Sequence, residues 1–174
     1  MARPFSFFAG VVRLFRHRWY DLFVRSALPT SALQRLTTRT TASEQRHTGQ
    51  IRICVEGGLP WSYLCRNAPV RERALMMFSK LRVWDTEQNN GVLIYLLLAE
   101  HSIDIVADRG LQAHVRNAEW QQMVARMSSA FRAGQFEQGL GRAIDEVTDL
   151  LCRHFPARPG TQRPNELPDE PHIS

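Results

Sequence analysis

Val92-Leu93-Ile94-Tyr95-Leu96-Leu97-Leu98 is apolar at nearly every position, so as a strand it has no side to offer to water and needs cover on both faces. A second apolar stretch, residues 103–107, follows across a turn at Glu100-His101, and two strands joined this closely pair antiparallel. Upstream, residues 50–56 alternate, with Ile51, Ile53 and Val55 on one face, until Gly57-Gly58 stops the strand. Between that strand and the hairpin, Ala74, Met77, Phe78 and Leu81 form the apolar stripe of a helix over residues 70–81. A strand, a helix and a strand in succession make a crossover between parallel strands, to which the hairpin adds an antiparallel one. The expected fold is therefore α/β, a three-layer α/β/α sandwich around a small mixed β-sheet.

The remaining segments supply the layers. Pro29-Thr30-Ser31 reads as a capped helix start, with Ser or Thr as the cap, in a helix that ends before His47-Thr48-Gly49. Asn117 caps a helix carrying Trp120, Met123, Val124, Met127 and Phe131, and Gly134 closes it. A last helix over residues 136–154 turns Leu140, Ile144, Val147, Leu150 and Leu151 inward. Residues 29–155 thus form the domain. Residues 156–174 hold five prolines, Pro156, Pro159, Pro164, Pro168 and Pro171, and read as a disordered tail. Residues 1–28 form a basic, amphipathic helical arm. The arm is open to three readings: packing on the domain, attachment to a membrane surface through Arg and Phe, or disorder. Its apolar run, Phe5 to Val12, is far short of the ~20 residues that span a bilayer.

At 174 residues the chain suits one domain with tails. The net charge of +5 comes almost wholly from arginine, with Lys80 the only lysine. Basic residues interleave with aromatics only at Arg13, Arg16, Arg18, Trp19 and Tyr20, so a nucleic-acid partner is not expected. Cys54, Cys65 and Cys152 show no zinc spacing and no CxxC pair. Cys54 and Cys152 read as small buried hydrophobes. Free thiols without a spanning segment suit a cytoplasmic protein, with peripheral attachment at the inner membrane as the alternative. Trp84 reads as a core anchor, whereas Trp61 and Tyr63 could face a partner or pack on the N-terminal helix.

Chemistry concentrates at one place. Centring the hairpin between Glu100 and His101 sets Asp108 opposite Leu93, so residues 85–90 and 108–110 share a rim of the sheet. Asp85, Glu87, Asn89, Asn90 and Asp108 could there supply the oxygens that a hard divalent cation wants, and Gly91 would let the backbone come close. Arg109 could clamp a phosphate through its fork. Glu56 ends its strand on the opposite rim and stays outside this group. The bland alternative is good turn chemistry, since Asp, Asn and Gly suit loops whatever their function.

The acidic loop into Asn90-Gly91-Val92-Leu93, the hairpin, Gly110-Leu111, and Phe131-x-x-Gly134-x-Phe136-x-x-Gly139 before a helix together resemble the TPM domain family, over residues 50–155. The resemblance implies an α/β/α sandwich, phosphatase activity in plant members, and divalent-cation binding in some. In bacterial members it implies an envelope or stress-related accessory role, with LemA-like proteins as partners. The chain departs from the family at Ala107-Asp108-Arg109-Gly110-Leu111-Gln112, where many members carry Gly-x-Gly-Leu-Glu: a carboxylate is lost at Gln112 and one gained at Asp108. The first expectation is a TPM-like module binding Ca²⁺ or Mg²⁺ and a protein partner. The alternatives are a weak metal-dependent phosphatase using Asp85, Asp108 and Arg109, and a membrane-surface adaptor working through the arm.

Overall fold

The computed structural model describes residues 7–157 and 164–174, with side chains from Val12 onward in the first helix. The three expected strands form and are buried along nearly their whole length: β1, Gln50–Glu56; β2, Gly91–Leu97; and β3, Ser102–Ala107. β1 runs parallel to β2, from Gln50↔Gly91 to Glu56↔Leu97, and β3 pairs antiparallel with the other side of β2. The strands' side chains alternate between two cores. Ile51, Ile53, Val55, Val92, Ile94 and Leu96 face α2 (Thr30–Glu44), α6 (Asn117–Arg132) and α7 (Phe136–His154). Cys54, Leu93, Tyr95 and Leu97 face α3 (Trp61–Cys65) and α4 (Val70–Lys80). This is the three-layer sandwich that an apolar strand such as β2 requires. α1 (Phe7–Ala27) adds Val24 to the first core.

The register differs from the expected one. Val92 opposes Ala107, so Asp108 lies beside Gly91 and not Leu93. A two-residue turn centred on Glu100-His101 does not form. Leu98–Glu100 instead makes a 3-10 turn, closed by His101 in the left-handed region at φ 48°. That moves the pairing by two residues without changing which side chains face which core, because the strand period is two. The caps also differ. Pro29 and Arg116 occupy the N-cap positions of α2 and α6 with no side-chain cap, and Thr30 and Asn117 are already helical. Cys54 is buried, and burial pushes its thiol up to about 12; Cys152 is only half-buried.

The tail corrects a further expectation. Residues 164–174 return to the domain, where His172–Ile173 forms β4, parallel to β1 on its open edge, giving the order β3-β2-β1-β4. Leu167 and Pro171 are buried. Proline is excluded from central strands but not from an extended segment leading to an edge, and the two paired residues are not proline. Residues 158–163, with Pro159, lie outside the described residues, as do residues 1–6. Arg52, only 8% exposed, holds the tail by donating from Nη1 to the carbonyls of Pro168 (2.5 Å) and Glu170 (2.6 Å). Arg52→Met keeps an apolar stem of similar length and removes both charge-assisted bonds. We expect a loss of about 1.5–3 kcal/mol in unfolding free energy, with faster amide exchange across residues 164–174. Unchanged exchange there would show that the tail docks without Arg52.

Candidate functional site

The rim forms where β2 begins and β3 ends. The loop before β2 is built from local turns: the amide of Asp85 donates to the Arg82 carbonyl, and that of Asn89 to the Thr86 carbonyl. Asn89 takes a left-handed backbone (φ 51°), which turns the chain back towards β3. From the other side, the Asp108 amide donates to the Gly91 carbonyl at 2.8 Å, and the Gly110 amide to the Asn89 carbonyl at 2.9 Å. A single helical turn, α5 (Arg109–Gln112), follows, with Asp108 as its N-cap. Asn89, Asp108, Arg109 and Gly110 are therefore brought together, as the antiparallel pairing of β2 and β3 predicts.

Their side chains are unequally committed. Asp108 is 8% exposed; its Oδ1 accepts the Arg109 amide at 2.7 Å, and its Oδ2 is buried without a hydrogen-bond partner. The Arg109 fork is spent on Asn89, donating from Nε (3.2 Å) and Nη2 (3.1 Å) to Oδ1. Asn90 is 1% exposed and works as a pin: its Nδ2 donates to Thr48 Oγ1 at 3.0 Å, and its amide donates to Thr86 Oγ1 at 3.1 Å. Asp85 and Glu87 are exposed on the loop. The close approach at Gly91 is by the Val83 carbonyl, 2.0 Å from where a Cβ would stand, and so serves the loop's own packing.

One residue at the rim was not anticipated, and another lies differently from its expected place. Glu166, from the returning tail, accepts the Glu87 amide at 2.9 Å. No signal near residue 87 could have announced it, since it depends on the tail's path. Trp84 is 50% exposed, contrary to its expected role as a core anchor; the fully buried Val83 takes that place. Trp61 is likewise exposed, while the Tyr63 ring lies under the guanidinium groups of Arg66 (4.7 Å) and Arg73 (5.4 Å).

The fit to a divalent cation is partial. Among the described residues no three carboxylate, histidine or cysteine side chains group so as to hold a metal ion. Yet Asp108 Oδ2 is a buried carboxylate oxygen without a partner, and burying such an atom is costly unless something compensates it. A cation there would rest on this carboxylate, amide and backbone oxygens and water, and would have to displace Arg109 from Asn89.

A family model for the TPM domain matches residues 25–150. The chain belongs to the TPM domain family. The match starts well before residue 50, so α2 and the end of α1 are part of the TPM domain. Two solved structures share the fold. One is the BA42 protein from the psychrophilic bacterium Bizionia argentinensis, with a TM-score of 0.73 at 24% identity, covering 84% of this chain and 95% of that one. The other is the N-terminal domain of a protein from P. gingivalis, with a TM-score of 0.58 at 19% identity, covering 75% and 83%. No curated protein matches the chain. No helix among the described residues is long and apolar enough to cross a membrane.

Proposed function

We propose that this TPM domain is a binding module that takes a divalent cation, Ca²⁺ or Mg²⁺, at the rim and presents it to a protein partner. The observation that supports this reading is the buried, unpartnered Oδ2 of Asp108. Asn89 would add its amide oxygen once Arg109 swings away, and Asp85 and Glu87 would contribute at longer range, from the exposed loop. Trp84, half exposed beside Asp85, offers the partner an aromatic anchor. A bound cation would supply positive charge able to bridge to a carboxylate or phosphate of the partner. With one buried carboxylate at its centre the site is weak, with a dissociation constant of about 0.1–1 mM, in the range of low-charge calcium sites.

The test is a titration of Ca²⁺ and of Mg²⁺ into isotope-labelled protein, read by backbone amide shifts. Saturable shifts confined to residues 85–91 and 108–111 are expected, absent in Asp108→Asn. No shifts at 10-fold the upper figure, about 10 mM, would leave the loop as turn chemistry and sink the reading. Hydrolysis is the lesser reading, because Asp108 Oδ1 already accepts the Arg109 amide. Metal-dependent turnover of p-nitrophenyl phosphate, lost in the Asp85→Asn, Asp108→Asn double variant, would move the assignment to a phosphatase.

A further inference from the structure

α1 has two faces of opposite character. On the inner face His17 and Val24 are buried, and Tyr20 packs against the core. The helix is seated firmly. Its backbone at Tyr20 and Asp21 stands 2.5–2.6 Å from where a Cβ on Gly57 would be, and the His17 carbonyl 2.6 Å from one on Gly58, so both glycines are needed for the approach. Arg13 donates to Glu100 Oε1 from Nε (3.0 Å) and Nη2 (2.6 Å). The Leu59 amide donates to His17 Nδ1 at 2.9 Å, which leaves the ring proton on Nε2, 3.3 Å from the same Glu100 oxygen. His17 and Arg13 hold the Glu100 carboxyl well down, at about 2, so the clamp persists at any physiological pH. The Tyr20 hydroxyl meets His101 Nε2 at 2.8 Å.

The outer face is apolar and uncovered. Val12 (65% exposed), Phe15 (75%), Trp19 (62%), Leu22 (73%) and Phe23 (41%) recur at spacings of three and four, so they line one stripe pointing away from the domain. The Trp19 and Phe23 rings meet at a tilt of 33°, with centroids 4.5 Å apart. The helix is kinked at Phe23 (φ −116°, ψ 18°). Over the regular turns before it, at 100° per residue, Arg16 borders one side of the stripe and Arg18 the other, both exposed, and Arg25 is exposed beyond the kink. Asp21 is the only acid in the helix and sits towards the domain side, 3.7 Å from Arg18.

We propose that this stripe docks α1 flat onto an anionic lipid surface. The charge pattern selects that occupant. A second copy of the helix would set Arg against Arg along both flanks of the seam, with no acid at the flanking positions to pair them. An anionic headgroup layer neutralises both flanking arginines, Arg16 and Arg18, at once, and Phe15, Trp19 and Phe23 suit the boundary between headgroups and acyl chains. Because α1 is clamped at Glu100, His101, Gly57 and Gly58, the whole domain is carried to the surface in a fixed orientation.

The test is flotation of the full chain with vesicles of phosphatidylcholine containing phosphatidylglycerol, against pure phosphatidylcholine, in EDTA so that no cation at the rim takes part. Wild type should float with the anionic vesicles only and release with added salt. Leu22→Glu and the Arg16→Glu, Arg18→Glu pair should each weaken binding tenfold or more. These residues are exposed, so amide spectra confirm that the fold is retained. Absence of flotation with anionic vesicles overturns the proposal, as does flotation unaffected by Leu22→Glu. Concentration-dependent dimerisation abolished by Leu22→Glu, without flotation, assigns the face to a second copy instead.

Discussion

Arg73→Met is expected to destabilise the protein by about 3–5 kcal/mol, the range for removing one partner of a buried ion pair. Glu56 is 2% exposed and Arg73 9%. Arg73 grips the carboxylate with both arms of its fork, Nε to Oε2 at 2.7 Å and Nη2 to Oε1 at 2.5 Å, while the Tyr95 hydroxyl donates to Oε2 at 2.6 Å. The hydrogen bonds to Glu56 hold the Arg73 guanidinium well above the usual arginine range. Removing it leaves a carboxylate in the α4-facing core with only a phenol for company. At roughly 2–4 °C per kcal/mol for a chain of this size, the melting temperature should fall by on the order of 10 °C. The double variant Arg73→Met, Glu56→Gln should recover most of the loss, because the cost lies in the stranded charge and not in the missing attraction. The surface pair Arg35–Glu137 is the control: its side chains are 60% and 40% exposed, and breaking it should cost under about 1 kcal/mol. If Arg73→Met costs no more than the surface pair, or the double variant is no better than the single, the network does not stabilise the domain in this way.

What the sequence disclosed follows from how local each signal is. The β2 apolar run and the α7 periodicity depend on neighbouring residues alone, and both elements appear where the pattern sets them, α7 to the residue. The two-residue shift in the β2–β3 register depends on a 3-10 turn closed by the left-handed His101; histidine takes that backbone more often than most residues, but without a glycine the turn carries no strong local signal. β4 exists only because β1 offers an open edge, and proline content says nothing about that. At the rim the same division holds. Asn89 and Asp108 converge because antiparallel pairing demands it, whereas Asn90's burial depends on Thr48, which precedes β1, and Glu166 depends on the tail. The outer stripe of α1 was legible as an amphipathic helix, but which face met the domain required Gly57, Gly58 and Glu100 to be in place.

The tail's return also places a titrating group that no local pattern suggests. Glu44, at the end of α2, accepts the Ile51 amide at 2.7 Å and faces Asp169 across a cavity also lined by Thr41, His47, Gln50 and Asn165. Burial pushes Glu44 up to about 8, and Asp169 beside it adds to the rise, partly offset by the Ile51 amide. The folded state therefore holds a proton here that the unfolded chain releases near pH 4.3. The stabilisation is full below that value and is lost as pH rises through about 8. The loss is expected to reach a few kcal/mol by about pH 9, since folded and unfolded pKa values one pH unit apart are worth about 1.4 kcal/mol. His172 on β4 works in the opposite direction: burial lowers its pKa, so it adds stability as pH rises through the ordinary histidine range. Subtracting the Glu44→Gln curve from the wild type removes that contribution. Glu44→Gln keeps an oxygen for the Ile51 amide and cannot ionise, so its unfolding free energy should be the flatter of the two between about pH 4 and 8, the window set by the two pKa values, and its residues 164–174 should stay protected from amide exchange at the alkaline end. Parallel curves for the two proteins would mean that Glu44 is not the group through which pH reaches the tail.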